Sequence, residues 1–321
     1  MHTESRAGSA VNRADITEVA RHAFVAEGIR ESALEGAAGE ALLDSYAVIA
    51  ETAMVRCQKA AGRLVVLGLC GAQGSGKSTT ARVVQDVLVK LAGLSVATLG
   101  IDDLYLSRAA RRQLAHDVHP LLATRGVPGT HNVARGLAVI EALATATPTS
   151  VTSLPRFDKA TDEPVAAADE PRVAGRPDVL LFEGWCVGAR AEPVSALADP
   201  VNELERVEDP EGRWRRYVNE RLAAEYQSLF GRLDALVMLR APHFECVVRW
   251  RQEQEHKLAA RVRDAGPGAG ASRVMNDAEV ARFVMHYERV SRHVLNEMPG
   301  YADVVVELSE AREVTAVRRR A

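Results

Sequence analysis

The stretch "GAQGSGKST", Gly71–Thr79, matches the pattern G-x-x-x-x-G-K-[ST] in full. Its surroundings constrain the fold as much as the motif does. The apolar run "LVVLGLC" at 64–70 precedes it, and "TTARVVQDVLVKLAG", with apolar residues at helical spacing, follows. A strand, a glycine-rich turn and a helix in that order form a phosphate cradle. Glycine lets backbone N–H groups curl around an anion, and the helix aims its positive end at it. Gly71, Ala72, Gln73, Gly74, Ser75, Gly76, Lys77, Ser78 and Thr79 are therefore the candidate nucleotide-binding residues. Lys77 has the reach for the outer phosphates of a bound nucleotide, and Ser78 offers a hydroxyl to Mg2+.

Beyond the loop, short apolar runs at 95–101, 151–154, 179–182, 235–239 and 303–306 alternate with helical stretches. That alternation predicts an α/β P-loop NTPase fold, a mostly parallel sheet with helices on both faces. Residues 14–60 carry Leu42, Ala47, Ile49 and Met54 at helical spacing, so 1–60 are expected to form a helical N-terminal extension and 61–321 the nucleotide-binding domain. Residues 1–12 are small and polar and are expected to be mobile. Residues 155–177 are too polar and proline-rich for one strand and too long for a simple connection, which favours a binding loop. "GPGAGAS", 266–272, reads as a joint between two helices. Asn276 and Glu279 then have cap spacing, which starts the next helix at Asp277.

Charge and cysteine usage narrow the partners. A net charge of -3 over 321 residues gives no general pull toward nucleic acid or anionic lipid, although Arg318, Arg319 and Arg320 make a small basic tail, read as solvated. Four separated cysteines without a C-x-x-C pair indicate neither a zinc site nor a disulfide framework and suit the cytoplasm. The first residues lack a signal-peptide pattern, and no apolar run is long enough to span a bilayer. The expected partner is a small-molecule acceptor, with no nucleic acid and no membrane; the oligomeric state stays open.

Two acidic strand ends carry the chemistry. "PDVLLFEGW" delivers Glu183 to the crevice beside the phosphate loop, a candidate for the magnesium shell, directly or through water. "GIDDLYLSR" delivers Asp102 and Asp103; adjacent side chains on a strand point to opposite faces, so at most one of them faces the phosphates. The loop alone does not separate a kinase from a GTPase, a motor or a transport ATPase. No asparagine is followed by lysine, so the guanine motif N-K-x-D is absent, and the pair at 102–103 is Asp-Asp where a motor would show Asp-Glu. A small-molecule kinase needs a carboxylate to accept the substrate hydroxyl proton and residues that hold the acceptor.

The ordered blocks "IDDLYL", "RGVPGTH", "PRFDK", "LLFEGW", "WRQEQE" and "MNDAEVARFVMHY" after the phosphate loop resemble the glycerate 3-kinase family, within the wider group of phosphoribulokinase, uridine kinase and pantothenate kinase. The resemblance covers about residues 60–308 and omits the N-terminal 60. It implies an ATP- and magnesium-dependent phosphotransferase acting on a hydroxyl, most plainly that of D-glycerate. It also implies that Asp102 is the general base, with Asp103 an acid behind it, paired to Arg108 or a basic acceptor-loop residue. Tyr105, Arg125, His131, Arg156, Asp158 and Lys159, with Asp103, fall in the family's acceptor-side blocks. His131 fits either a substrate hydroxyl or a structural hydrogen bond. Leu104, where the family has Phe, and Asn132, often Asp, depart from the pattern. Arg249 and Arg251 resemble the lid that closes over the transferring phosphoryl group; either could stabilise it, and either could sit on a solvated helix face, with Arg251 paired to Glu255. Trp185 and Trp250 read as packing residues. A kinase of a nucleoside, nucleotide or pantothenate-like acceptor and a non-catalytic ATP-binding regulatory protein are the competing functions.

Overall fold

A computed structural model describes residues 11–28, 31–264 and 275–320. The chain opens with α1 (Arg13–Ala26), whose first turn is capped by the Asn12 side chain accepting from the Asp15 N–H, and the long α2 (Gly36–Ala60). Strand β1 (Val65–Gly71) follows, then α3 (Lys77–Lys90) and β2 (Val96–Gly100). Helices α4 (Arg108–Asp117) and α5 (Val133–Ala144) lead to four short strands, β3 (Val151–Ser153), β4 (Phe157–Asp158), β5 (Glu163–Pro164) and β6 (Arg172–Ala174). After them come β7 (Val179–Gly184), α6 (Glu203–Glu208), α7 (Arg213–Ala223), α8 (Glu225–Phe230) and β8 (Ala235–Arg240). The chain ends with α9 (Phe244–Asp264), α10 (Asp277–Glu297), β9 (Val304–Leu308) and β10 (Val314–Arg319).

The six-stranded sheet has the order β10-β9-β8-β1-β7-β2, parallel except for β10. All seven residues of β1 are buried, which requires cover on both faces and explains why the sequence there is one unbroken apolar run. Helices α1, α2 and α3 pack together, and α2 reaches β1, β8, β9 and β10. Their buried residues, including Phe24, Tyr46 and Ile49, belong to the same apolar core as the sheet. Helix α10 begins at Asp277 with the Asn276–Glu279 capping box, as its spacing predicts.

Two expectations change. The polar stretch 155–177 is folded: β4 pairs with β5, and β6 pairs with β3. The basic end is solvated as expected but is a strand rather than a tail, since the exposed Arg318 and Arg319 lie in the antiparallel edge strand β10, ion-paired to Glu307 and Glu51. Alternation there is obscured by arginines whose charges are met by acids on the neighbouring strand and helix. Residues 1–10 and the glycine-rich joint at 266–272 lie outside the described residues.

Candidate active site

The phosphate loop closes over the carboxyl end of β1. Its turn is held locally, by the Ser75 N–H donating to the Ala72 carbonyl at 3.1 Å and the Thr80 N–H to Gly76 at 2.9 Å. Gly74 has φ of +81°, and a Cβ there would come within 2.7 Å of the Cβ of Trp250. Glycine is thus demanded twice, by backbone conformation and by the close approach of α9. Trp250, 1% exposed, is a packing residue that fixes α9 over the loop, its indole N–H donating to the Glu310 carbonyl.

Glu183 lies in β7 with Leu69 of β1 on one side and Gly100 of β2 on the other. Register alone brings its carboxylate to the first turn of α3, where the Ser78 hydroxyl donates to Oε1 at 2.9 Å. A hydroxyl and a carboxylate oxygen that converge beside a phosphate cradle are the donor set a hard divalent cation takes.

Strand β2 stops at Gly100, and the two aspartates sit on a 3₁₀ turn, Ile101–Leu104. The alternation argument therefore does not apply: at three residues per turn, successive side chains diverge by about 120°. Asp103 turns back, accepting from the Gly100 N–H at 3.1 Å and the Phe157 N–H at 3.4 Å and pairing with Arg156 at 3.3 Å. Arg108 is not its partner; that guanidinium goes to Asp162 and the Thr161 carbonyl. Burial holds the Asp103 carboxyl above its usual range despite Arg156.

Asp102 turns outward. Lys159 Nζ donates to Oδ2 and the Tyr105 hydroxyl to Oδ1, both at 2.7 Å. Burial alone would raise its pKa, but the charges of Lys159 and Lys77 overcome it and hold the carboxyl well below the usual range. The Tyr105 ring stacks on His131 at 4.6 Å, and His131 Nδ1 lies 2.6 Å from the Tyr226 hydroxyl. Burial pushes the His131 imidazole down to about 4, so it is neutral near pH 7; its Nε2 is buried without a hydrogen-bond partner among the described residues.

The remaining acceptor-side residues are largely committed to one another. Asp162, which the sequence did not single out, collects Arg108, Arg111 at 2.7 Å and Arg125. Arg156 donates to the Thr98 and Pro155 carbonyls as well as to Asp103. The Asp158 carboxylate accepts from the Ala160 N–H and the Thr161 hydroxyl, closing the β4–β5 turn rather than facing Asp102. Gly126 has φ of +136°, and a Cβ there would meet the Tyr287 hydroxyl at 1.9 Å. Tyr287 of α10 donates to the Arg125 carbonyl and contacts Gln73, so it joins the acceptor block to the phosphate loop. The signal for it was present in the block ending "MHY".

The two lid arginines diverge. Arg249 leaves the crevice for Glu310, at 2.5 Å, and Cys246. Arg251 pairs with Glu255 and lies 5.9 Å over the Phe283 ring, on the side of Tyr287. The Trp185 indole N–H donates to the Gly126 carbonyl at 3.1 Å, a packing role.

No family model matches the chain. It is 35% identical over 240 residues to an uncharacterized kinase, mug58, of Schizosaccharomyces pombe, covering 71% of this chain and 80% of that protein. It is 30% identical over 232 residues to the chloroplastic D-glycerate 3-kinase of Arabidopsis thaliana, covering 70% of this chain and 46% of that one. This chain belongs to the glycerate 3-kinase family of P-loop kinases. A D-glycerate 3-kinase from Cryptococcus neoformans superposes with a TM-score of 0.70 at 23% identity, covering 86% of this chain and 99% of that one, so the family fold extends through most of the molecule. The chain's relatives are kinases, which makes it a phosphotransferase, and Ser78, Glu183 and Asp102 lie at the carboxyl end of the sheet. Among the described residues no helix is long and apolar enough to cross a membrane.

Proposed function

We propose that the chain transfers the γ-phosphoryl group of ATP to a hydroxyl of a small carboxylate-bearing acceptor, D-glycerate being the foremost candidate. The observation that carries this is the Asp102–Lys159 pair, 2.7 Å apart at the mouth of the phosphate crevice, with Asp102 held ionised by Lys159 and Lys77. An ionised carboxylate at that point accepts the proton of the attacking hydroxyl. As the acceptor oxygen bonds to the γ-phosphorus, the bond from that phosphorus to the β–γ bridging oxygen breaks and ADP leaves with the electron pair. Lys77 and the loop amides hold the polyphosphate. Ser78 and Glu183 would hold Mg2+, which neutralises charge on the phosphoryl oxygens when bound. Of the two lid arginines, Arg251, which lies on the side of Tyr287, is the one assigned to the charge that develops on the transferring group, leaving Glu255 to do so.

The acceptor side favours a carboxylate over a phosphate. Among the described residues of 125–163, the arginines closest to Asp102 are engaged by Asp103, Asp162 or backbone carbonyls, whereas Lys159, paired to Asp102, is exposed, so that an incoming anion can share it. A single lysine carries one positive charge, which balances one carboxylate and leaves half of a phosphate dianion unbalanced. Family membership and the relatives' names support the same acceptor.

The test is ATP consumption by purified protein with Mg2+ across glycerate, pantothenate, nucleosides and sugar phosphates. Acceptor-dependent turnover restricted to glycerate is expected. Turnover on a nucleoside or sugar phosphate alone overturns the acceptor, and no turnover on any member of the panel overturns the reaction.

A further inference from the structure

The N-terminal helices lie outside the family blocks, and their sequence names no task. Their place in the fold does. A cavity of about 680 Å³ opens directly from the phosphate loop, with Gly74, Ser75 and Gly76 as one wall. That volume is within the usual span of about 300–1,000 Å³ for small-molecule sites. The second wall is α1 and α2, through Phe24, Ala38, Leu42 and Tyr46; the third is the turn between β9 and β10, at Leu308, Ala311 and Arg312.

The walls are fixed to one another. The Tyr46 hydroxyl lies beside the Thr80 side chain in the first turns of α3, its ring lies 6.2 Å from that of Phe24, and Glu27 at the end of α1 is ion-paired to Arg82 of α3. The helical pair is thus anchored to the same helix that begins at Lys77. The chemistry of the cavity is divided. Its floor, Leu42, Leu239, Val306 and Leu308, is apolar, as a planar heterocycle requires, while Ser32, Glu35 and Gln254 at the rim offer hydrogen-bonding groups to ring edges and hydroxyls.

A polyphosphate seated on the loop amides must direct whatever it carries into an adjoining space, and this is a cavity that shares the loop's glycines. We infer that α1 and α2 form a wall of a nucleoside pocket, so that residues before 60 hold the base and ribose of the phosphoryl donor. The inference rests on the proposed use of a nucleoside triphosphate and assigns the donor's recognition in part to the N-terminal extension. Binding of nucleotide and docking of the helical pair are then linked, because a ligand held by both favours the docked form.

Calorimetry with ADP and with inorganic tripolyphosphate separates pocket from loop, since tripolyphosphate has no base. Ala38→Trp fills the cavity from α2 and Ala311→Trp from the opposite wall. Each is expected to weaken ADP by about tenfold or more while leaving tripolyphosphate within about twofold. Unchanged ADP affinity in both variants, or equal losses for both ligands, overturns the inference. Hydrogen exchange on the unmodified protein gives a readout that does not depend on the variants folding: ADP should slow exchange across residues 38–46 beyond what tripolyphosphate does, and equal protection overturns the inference. Unmodified protein that binds pyrophosphate, which has the phosphates of ADP without its nucleoside, no less tightly than ADP refutes the pocket alone. Protein that binds neither refutes the phosphotransfer reading with it.

Discussion

The phosphate side and the acceptor side of the crevice are built on opposite principles. On the phosphate side one continuous segment supplies the cradle through bonds that span three or four residues, and Glu183 joins it from β7. On the acceptor side the cationic residues come from three separate segments and are neutralised by two aspartates, Asp162 taking three guanidiniums and Asp103 one. Most of the arginine charge there fixes loops to each other, and the Asp102–Lys159 pair is what faces outward. A run of cations near an active site is therefore poor evidence of how many touch substrate.

The sharpest way to break that comparison is at the acidic pair. Asp102→Asn should lower kcat by about 10³-fold, within the span general-base removal usually costs, with ADP affinity nearly unchanged. Asp103→Asn should cost less in kcat and act through the loosened Arg156 loop, visible as lost thermal stability. Steady-state kinetics with calorimetric ADP binding read both. If Asp103→Asn is the inactivating change, the outward and inward roles are exchanged and the division fails.

Next in size are the lid arginines. Arg251→Ala should lower kcat by about 10²-fold, the cost of losing one donor to transition-state charge. Arg249→Ala, which removes a guanidinium already tied to Glu310, should stay within a few-fold. The reverse ranking in the same assay would show that closure of the lid carries Arg249 into the crevice.

The two sides also differ in how far the sequence could place their residues. Gly71–Thr79 was legible because its chemistry is set by residue types at fixed local spacing, and Glu183 because a parallel neighbour of β1 must end at the same edge. The helix start at Asp277 was legible for the same local reason. The directions of Asp102 and Asp103 were not, since strand alternation assumes a strand and β2 ends before them. Asp162 was invisible: its partners are up to 54 residues away, and nothing in "KATDEP" distinguishes it from a turn residue. The β10 edge strand was hidden by its arginines, which read as a tail until Glu307 and Glu51 are seen opposite them.

Asp162→Asn tests whether the acceptor-side arginines are scaffold. The carboxylate is half-buried, and its pKa is held below the usual range by Arg111 and Arg125 against the cost of burial. Losing charged hydrogen bonds of this kind costs about 2 kcal/mol, measurable by urea unfolding. The acceptor KM should rise by about tenfold as the 125 and 159 loops loosen, with kcat changed far less. A lower KM would mean that freed arginines bind the acceptor better than the intact arrangement does, which reverses the lesson.

The smallest effect belongs to His131 and shows only in acid. In the unfolded chain its imidazole titrates near the ordinary value of about 6.5, and in the folded one burial pushes it down to about 4. Between those values the unfolded state binds more protons, so stability is full above pH 6.5 and declines as pH falls toward 4. At pH 5 the loss for this one group is about 2 kcal/mol. Asp102 acts in a lower window, because a carboxyl already held below its ordinary value withdraws its stabilisation only as pH falls further. His286, also pushed down by burial, contributes the same slope with or without the substitution. His131→Gln should therefore be less sensitive than the unmodified protein between pH 6.5 and 5 by that amount in urea midpoints. Parallel curves for the two proteins would mean that the imidazole is reached by water in the folded state, and with it the Tyr105 stack that positions Asp102.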